Sequence, residues 1–204
     1  MGLVSRLLVP GLVGAEIEDR GQPISLLPLE EELVAQAAEK RRRDFALGRA
    51  CARAALAGLG HNGVAIGKGE HGAPLWPAGI VGSITHTGGY AAALAGSAQQ
   101  FTGIGLDAER MGGVTENLWP RLFDEDERDH LAGLDVAGKA MAATLFFSAK
   151  EAAFKAWGGN SVLAFRDIHV TQEGQIFTAC QSGHPILRGR FAVEGDLMLT
   201  VASF

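Results

Sequence analysis

Apolar positions along this chain follow two periods, and each period predicts a different kind of element. Runs of about four to eight residues that are apolar throughout or at alternate positions are typical of strands. Longer segments with apolar residues at helical spacing are typical of helices. The first pattern predicts strands over 3–9, 12–17, 81–86, 90–96, 101–109, 162–172, 175–179, 186–193 and 197–203. The second predicts helices over 29–59, 122–134 and 138–157.

The predicted elements fall into two groups of similar order. Each group holds one long helix and several strands, and the glycine- and proline-rich residues 67–79 predict a loop. We therefore predict an α+β fold of two similar halves, 1–101 and 102–204, related by a pseudo-two-fold axis. Binding sites commonly form where such units meet, so we expect the active site in the cleft between the halves.

The composition is that of a globular protein, since 47% of the 204 residues are hydrophobic and 20% are charged. A net charge of -5 argues against non-specific nucleic-acid binding, which needs a basic face. Cys51 and Cys180 lack the spacing of a zinc site or a disulfide scaffold, which fits a reducing, cytoplasmic location. No segment reaches the roughly 20 apolar residues of a membrane span.

Two acids stand at alternate positions of the predicted strand 101–109. Asp107 and Glu109 would point to the same side of that strand, where two carboxylates repel each other unless a cation lies between them. Carboxylates together with phosphates and water form the usual Mg²⁺ shell. The alternative is a strand end that reaches solvent, where acids are common.

A glutamate and a lysine share one side of the predicted helix 138–157. Glu151 and Lys155 lie one turn apart, which is also the spacing of an ordinary stabilising surface pair. Phe147 and Phe154 indicate a buried segment, however, and buried charges need partners. A phosphate and its metal ion would supply them, with the lysine at the phosphate and the glutamate at the metal.

Basic residues cluster in the first half of the chain. Lys40–Arg43, Arg49 and Arg53 lie within one predicted helix, and a guanidinium group suits a nucleotide phosphate. Lys68 lies in the glycine-rich loop, whose backbone can approach a ligand closely, and His86 ends a predicted strand. Each feature alone also fits an ordinary role, as a solvated basic face or a satisfied structural histidine.

These features occur together, in order, in one family. The chain resembles the Sfp-type phosphopantetheinyl transferases, most closely the enterobactin-synthase component D group. The segments that carry the resemblance are RRRDFALGRACARAAL, KGEHGAPLWPAGIVGSITHTGGYAAA, GIGLDAER and FSAKEAAFKA. Together they lie within residues 38–157, and the pair formed by GIGLDAE and FSAKEAAFKA is the most specific part.

The resemblance implies transfer of the phosphopantetheine arm of coenzyme A to a serine of an apo acyl, peptidyl or aryl carrier protein, with Mg²⁺ or alternatively Mn²⁺. The metal ligands that it implies are Asp107, Ala108 through its carbonyl, Glu109 and Glu151. Lys150 and Lys155 would lie near the pyrophosphate, and Lys155 would help catalysis electrostatically. Glu151 is the first candidate for the base that accepts the serine proton, and Glu127 is the second.

The resemblance also assigns the coenzyme A contacts, mostly to the first half, while the second half would hold the metal. The residues implied are Arg41, Arg49, Lys68, Glu70, His71, Thr85 and His86, with Asp107, Lys150, Glu151 and Lys155 at the pyrophosphate. The register among Arg41, Arg42 and Arg43 stays open by one position. Many relatives carry a basic residue before the loop proline, where this chain has Ala73, so Lys68 or His71 would supply that charge.

The resemblance favours siderophore, nonribosomal peptide or polyketide biosynthesis, and a monomer, because relatives with both halves in one chain are usually monomeric. Two other classes remain as alternatives. A catalytically silent coenzyme A-binding protein would have no need of the full set of metal ligands. A nucleic-acid-binding module built on the Arg41–Arg53 helix would bind with steep salt dependence.

Overall fold

The computed structural model describes residues 2–69, 72–159 and 164–204. Within these ranges the helices are α1 (Leu3–Leu7), α2 (Pro28–Glu32), α3 (Glu39–Gly58), α4 (Trp119–Leu122), α5 (Glu125–Ala132) and α6 (Val136–Ala156). The strands are β1 (Val13–Glu18), β2 (Gly67–Lys68), β3 (Pro74–Leu75), β4 (Ile80–Thr87), β5 (Tyr90–Ser97), β6 (Ile104–Arg110), β7 (His169–Glu173), β8 (Ile176–Cys180), β9 (Leu187–Glu194) and β10 (Leu197–Ser203). Among these helices none is long and apolar enough to cross a membrane.

The first half is an antiparallel sheet of order β1-β5-β4 with α3 packed on one face. Strand β5 is rich in alanine because both of its faces are covered. Ala91 and Ala93 pack with α3, whereas Ala92 and Leu94 point into a second core that the two halves share. This alternation follows from the two-residue period of a strand.

The second half is an antiparallel sheet of order β6-β10-β9-β8-β7, and α6 lies across β6 and β10. The helix begins at Val136, and the side chain of the preceding residue, Asp135, caps it by accepting the Gly138 N–H at 2.7 Å. Helix and strand approach closely because β6 carries glycine at the contact. A Cβ on Gly105 would lie 1.7 Å from the Ala152 carbonyl oxygen.

The two halves meet where β4 runs beside β6, and side chains rather than a backbone ladder join these strands. The Leu106 N–H donates to Ser83 Oγ at 3.0 Å, and the Ala108 N–H donates to Thr85 Oγ1 at 3.1 Å. A cleft of about 420 Å³ opens beside this junction, between the first sheet and α6. The fold therefore places residues of both halves around one cavity.

The predicted α+β class is confirmed, as are both strands of the 81–96 hairpin, β6, α5 and α6. The strand predicted over 3–9 is wrong: the segment forms α1, whose Leu3, Val4 and Leu7 are buried on one side. The single helix predicted over 29–59 is wrong too, because α2 and α3 are separate, and the predicted loop 67–79 contains the β2–β3 pair.

The strand predicted over 162–172 is partly wrong. Residues 162–163 lie outside the described residues, a short 3-10 helix occupies Phe165–Asp167, and β7 begins at His169. The Phe165 ring packs against Phe154 of α6, with ring centroids 5.9 Å apart. A run of apolar residues does not by itself separate strand from such a connection, because periodicity is ambiguous over short lengths.

Candidate active site

Asp107 of β6 lies at the centre of a charged cluster between β6 and α6. Its side chain is almost fully buried, at 6% exposure, yet each carboxylate oxygen has a donor. Lys155 Nζ donates to Oδ1 at 2.7 Å, and Ser148 Oγ donates to Oδ2 at 2.8 Å. Both oxygens of this buried carboxylate therefore have the hydrogen-bond donors that burial requires.

One side of α6 supplies the residues that face Asp107. Ser148, Glu151 and Lys155 follow one another at spacings of three and four, which align them along one face of a helix. Lys155 Nζ lies 3.9 Å from Glu151 Oε2 and also donates to the Leu106 carbonyl at 3.1 Å. The Glu151 and Lys155 side chains are 25% and 28% exposed, so both are accessible from the cleft.

The cluster holds more negative than positive charge. Burial and the neighbouring Asp107 raise the pKa of Glu109 to about 7, with Glu151 adding to the effect and Lys155 opposing it. Burial also raises the pKa of Glu151, again with a contribution from Asp107. Three carboxylates thus share one ammonium group, and a divalent cation would relieve their repulsion.

This donor set fits a hard divalent cation such as Mg²⁺, which prefers oxygen ligands. Asp107, Glu109 and Glu151 supply carboxylate oxygens. The N–H of Ala108 donates to Thr85, so it points from β6 toward β4. The N–H and C=O of a strand residue point to the same side, so the Ala108 carbonyl oxygen also faces the junction of β4 and β6. The charges of the three carboxylates that the sequence predicted as metal ligands act on one another at the junction of β6 and α6.

The structure does not bring Lys150 and Glu127 to this cluster. Lys150 is fully buried, and its Nζ donates to the Leu122 carbonyl at 2.8 Å and to Glu127. Glu127 also accepts the Val170 N–H at 2.9 Å and the Asp124 N–H at 3.0 Å. Both predicted site residues are thus occupied by protein partners in the junction of α5, α6 and β7.

The carboxylates of Asp124 and Glu127 and the ring of His169 approach one another closely enough to resemble a metal site. Hydrogen bonds account for the cluster instead. Asp124 caps α5 by accepting the Glu127 N–H at 2.8 Å, and its other oxygen lies 2.6 Å from His169 Nδ1. Lys150 already neutralises Glu127, so the chemistry of a cation site is concentrated around Asp107.

A smaller cavity, of about 130 Å³, lies between α3 and β4 and shares Gly72, Pro74 and Ile84 with the larger cleft. Its basic lining residues are Arg41, Arg49, Lys68 and His86. Arg41 Nη1 lies 3.5 Å from His86 Nε2. Desolvation lowers the pKa of His86, and the charges of Arg41 and Lys155 lower it further against the opposing effect of Asp44.

Arg49 is buried against the loop that carries Lys68. Its Nε donates to the Ile66 carbonyl at 2.9 Å and its Nη2 to the Gly67 carbonyl at 3.0 Å, while its guanidinium stacks 4.2 Å from the Phe45 ring centroid. Burial lowers the pKa of Arg49 to about 10, so it stays charged at neutral pH. Arg49 therefore holds the β2 segment as well as lining the cavity.

The structure places Arg41 and Arg43 on different sides of α3. Arg43 forms an ion pair with Asp19, on another side of the helix, whereas Arg41 lines the cavity. Thr85 is buried at the junction, where its hydroxyl lies 3.4 Å from Asp107 Oδ1. The predicted contacts Glu70 and His71 lie outside the described residues.

Sequence reasoning missed Ser148 and Thr200, the two hydroxyl residues behind Asp107. Ser148 carried a usable signal, because it precedes Glu151 by three positions and so shares its side of the helix. Thr200 carried none, because strand pairing alone brings β10 beside β6.

Comparison with known proteins covers nearly the whole chain. Residues 29–96 match the 4'-phosphopantetheinyl transferase N-terminal domain, and residues 103–196 match the 4'-phosphopantetheinyl transferase superfamily. The 4'-phosphopantetheinyl transferase Npt of Nocardia iowensis is 40% identical over 95% of this chain and 87% of its own length. The 4'-phosphopantetheinyl transferase PptT of Mycobacterium tuberculosis is 36% identical over 87% of this chain and 86% of its own.

Two further similarities are more partial. Enterobactin synthase component D of Salmonella typhimurium is 35% identical over 66% of this chain and 56% of its own length. A holo-(acyl-carrier-protein) synthase from Bacillus anthracis, solved in complex with CoA (3',5'-ADP), is 23% identical, with a TM-score of 0.45 over 50% of this chain and 95% of that one.

Proposed function

This chain belongs to the 4'-phosphopantetheinyl transferase superfamily, and we propose that its cleft transfers the phosphopantetheine arm of coenzyme A to a serine of an apo carrier protein. The serine oxygen forms a bond to the β-phosphorus while the bond from that phosphorus to the bridging oxygen breaks. The leaving group is 3',5'-ADP. The observation that carries the proposal is the cluster of Asp107, Glu109, Glu151 and Lys155, whose members Glu151 and Lys155 line a cleft that shares three wall residues with a basic cavity.

Residues of the first half bind the nucleotide. Arg41, Lys68 and the remaining donors of Arg49 face the small cavity and attract the phosphates of the adenosine end. His86 of β4 lines the same cavity, where its imidazole can form a hydrogen bond with a phosphate oxygen. Thr85 acts from behind the site, since its hydroxyl bonds to β6.

Residues of the second half hold the pyrophosphate and the metal. Asp107, Glu109, Glu151 and the Ala108 carbonyl would bind Mg²⁺, or alternatively Mn²⁺. When bound, the ion would neutralise the pyrophosphate and stabilise the charge of the departing 3',5'-ADP. Lys155 is within reach of the same position and donates to phosphate oxygens, which lowers the barrier electrostatically.

Glu151 is the better placed of the two candidate bases. Its side chain is accessible from the cleft and its pKa is raised, so it can accept the serine proton in the reaction. Glu127 is 2% exposed and already bonds to Lys150 and to two backbone N–H groups. We therefore propose that Glu127 and Lys150 stabilise the second half and take no direct part in transfer.

The relatives make a carrier protein of siderophore, nonribosomal peptide or polyketide assembly the expected acceptor, since one of them is named as a component of enterobactin synthase. We propose a monomer that acts in the cytoplasm, with the nucleotide held by residues 1–101 and the metal by residues 102–204. A sedimentation measurement would test the monomer.

The direct test is mass spectrometry of an apo carrier protein incubated with this protein, coenzyme A and Mg²⁺. We expect the carrier to gain one phosphopantetheine group, and EDTA to prevent the gain. If several carrier types gain nothing while coenzyme A still binds, the catalytically silent alternative is correct. A gel shift of DNA or RNA at low salt would instead support the nucleic-acid-binding alternative.

A further inference from the structure

Two hydroxyl groups stand behind Asp107, on the side away from the cleft. Thr200 of β10 is the direct cross-strand neighbour of Asp107, so the two side chains point to the same face of the sheet, toward α6. Ser148 of α6 lies between them, with its Oγ 2.8 Å from Asp107 Oδ2 and 2.8 Å from Thr200 Oγ1. Both hydroxyl residues are fully buried.

The number of hydroxyl protons limits which residue donates in each of these hydrogen bonds. An ionised carboxylate can only accept, so the single hydroxyl proton of Ser148 points to Asp107 Oδ2. Thr200 must then donate its own proton toward Ser148, either to Oγ or to the Ser148 carbonyl at 3.0 Å. With an ionised Asp107, Ser148 therefore donates to Asp107, and Thr200 donates to one of the two oxygens of Ser148.

The same arrangement makes the two oxygens of Asp107 unequal. Ser148 occupies Oδ2 on the buried side, and Oδ1 carries the Lys155 ammonium at 2.7 Å, where the cleft lies. A carboxylate fixed at one oxygen cannot rotate freely, so the other oxygen keeps its direction. Hydrogen bonds to a carboxylate ligand commonly orient it in this way.

We propose that Ser148, supported by Thr200, is a positioning residue that presents Asp107 Oδ1 to the divalent cation. This inference rests on the proposed function, because it assumes that Asp107 binds a metal. Neither hydroxyl touches the substrate. Their loss weakens metal binding by about tenfold or more, the usual effect of removing an outer-shell partner of a ligand.

Direct binding of Mn²⁺ in the presence of coenzyme A, measured by electron paramagnetic resonance, tests the proposal without relying on activity. We expect Ser148→Ala and Ser148→Cys to weaken Mn²⁺ binding about tenfold. Ser148→Cys nearly preserves the volume of the side chain and serves if the alanine variant folds poorly. Thr200→Val should weaken binding less, and Thr200→Ser should retain it, because serine keeps the donor.

Thr144→Val is the matched control. Thr144 is also a fully buried hydroxyl residue of α6, one turn before Ser148, but its Oγ1 donates to the Ala140 carbonyl at 2.7 Å. We expect this variant to lose stability without a change in Mn²⁺ affinity. In the transfer reaction, Ser148→Cys should need about tenfold more Mg²⁺ for half-maximal rate, while its rate at saturating Mg²⁺ recovers.

Three outcomes separate the possibilities. Weaker Mn²⁺ binding in the Ser148 variants, but not in Thr144→Val, supports the positioning role. Wild-type affinity in folded Ser148→Cys and Thr200→Val overturns it and leaves the hydroxyls a purely structural role. If the wild-type protein itself binds no Mn²⁺ with coenzyme A, the metal assignment of the proposed function fails, and this inference fails with it.

Discussion

Lys150 and Glu151 are neighbours in sequence but lie on different sides of α6, in contrasting environments. The Lys150 side is closed: one ammonium group meets one carboxylate, that of Glu127, and backbone groups form further hydrogen bonds with both. On the Glu151 side, which borders the cleft, the ammonium of Lys155 pairs with Asp107 and Glu151, and the charge of Glu109 acts on the same cluster. The closed cluster is complete without a ligand, whereas the open one has excess negative charge that a ligand can neutralise.

This contrast distinguishes the two lysines of the FSAKEAAFKA segment. The Lys150 side chain is fully buried, whereas that of Lys155 is 28% exposed and lines the cleft. A buried pair satisfied by the protein favours stability of one arrangement, whereas an unbalanced cluster in a cleft is typical of a functional site.

Removing the central charge of the open cluster should abolish transfer. Asp107→Asn keeps the shape of the side chain but removes a metal ligand, and we expect the rate to fall by about 1,000-fold or more. Coenzyme A should still bind in a calorimetric titration, because the basic cavity is intact. Asp126→Asn, at an exposed position of α5, is the control. Substantial transfer by Asp107→Asn would show that the metal assignment is wrong.

Breaking the closed cluster should affect stability first. Lys150→Met leaves the Glu127 carboxylate buried without its cation, and we expect the free energy of unfolding to fall by about 3–5 kcal/mol in urea denaturation. Adding Glu127→Leu should restore much of that loss, since it removes the unpaired charge. A stable Lys150→Met protein that binds coenzyme A poorly would instead place Lys150 at the phosphates.

Moving α6 away from β6 should disrupt the open cluster without changing any of its charged residues. In Gly105→Ala the new Cβ would lie 1.7 Å from the Ala152 carbonyl, so the helix must shift away from the strand. We expect a loss of about 1–3 kcal/mol in unfolding free energy, together with a loss of transfer. Gly133→Ala, at a φ of -77° with its nearest atom at 3.6 Å, should change neither.

The smallest effect concerns pH. The pKa of Glu109 rises from 4.5 to about 7 on folding, so its contribution to stability is full below pH 4.5 and is lost as the pH rises through about 7. In EDTA, Glu109→Gln should therefore lose less melting temperature than the wild type between about pH 5 and about pH 8. Glu125→Gln is the exposed control, and an unchanged slope in Glu109→Gln would contradict the electrostatic account of the open cluster.

Sequence patterns predicted which members of the open cluster share a strand or helix face, because these residues follow local periods. Asp107 and Glu109 alternate along one strand, and Glu151 and Lys155 lie one helical turn apart, so each pair shares a face whatever surrounds it. The resemblance then joined the pairs. In the structure, the glycines of the GIGLDAE segment permit the close contact with α6 that brings the pairs together.

Other features depended on contacts between distant residues. The apolar run at 3–9 is compatible with a strand or a helix. It forms α1 because Leu3, Val4 and Leu7 complete a core that both halves share. Among Arg41, Arg42 and Arg43, the sequence leaves the register open, whereas the Arg43 ion pair with Asp19 assigns that residue to another side of α3.

The family, the α+β class and the pairs of charged residues that share a strand or helix face follow from the order of the residues along the chain. Which charged residues remain available to a ligand depends on how the elements pack together. The partners of Lys150 and Asp107 come from distant parts of the chain. Leu122 accepts a hydrogen bond from Lys150, and Thr200 bonds to the serine that donates to Asp107. Burial and hydrogen-bond satisfaction arise from elements far apart in the chain, so no local period can encode them.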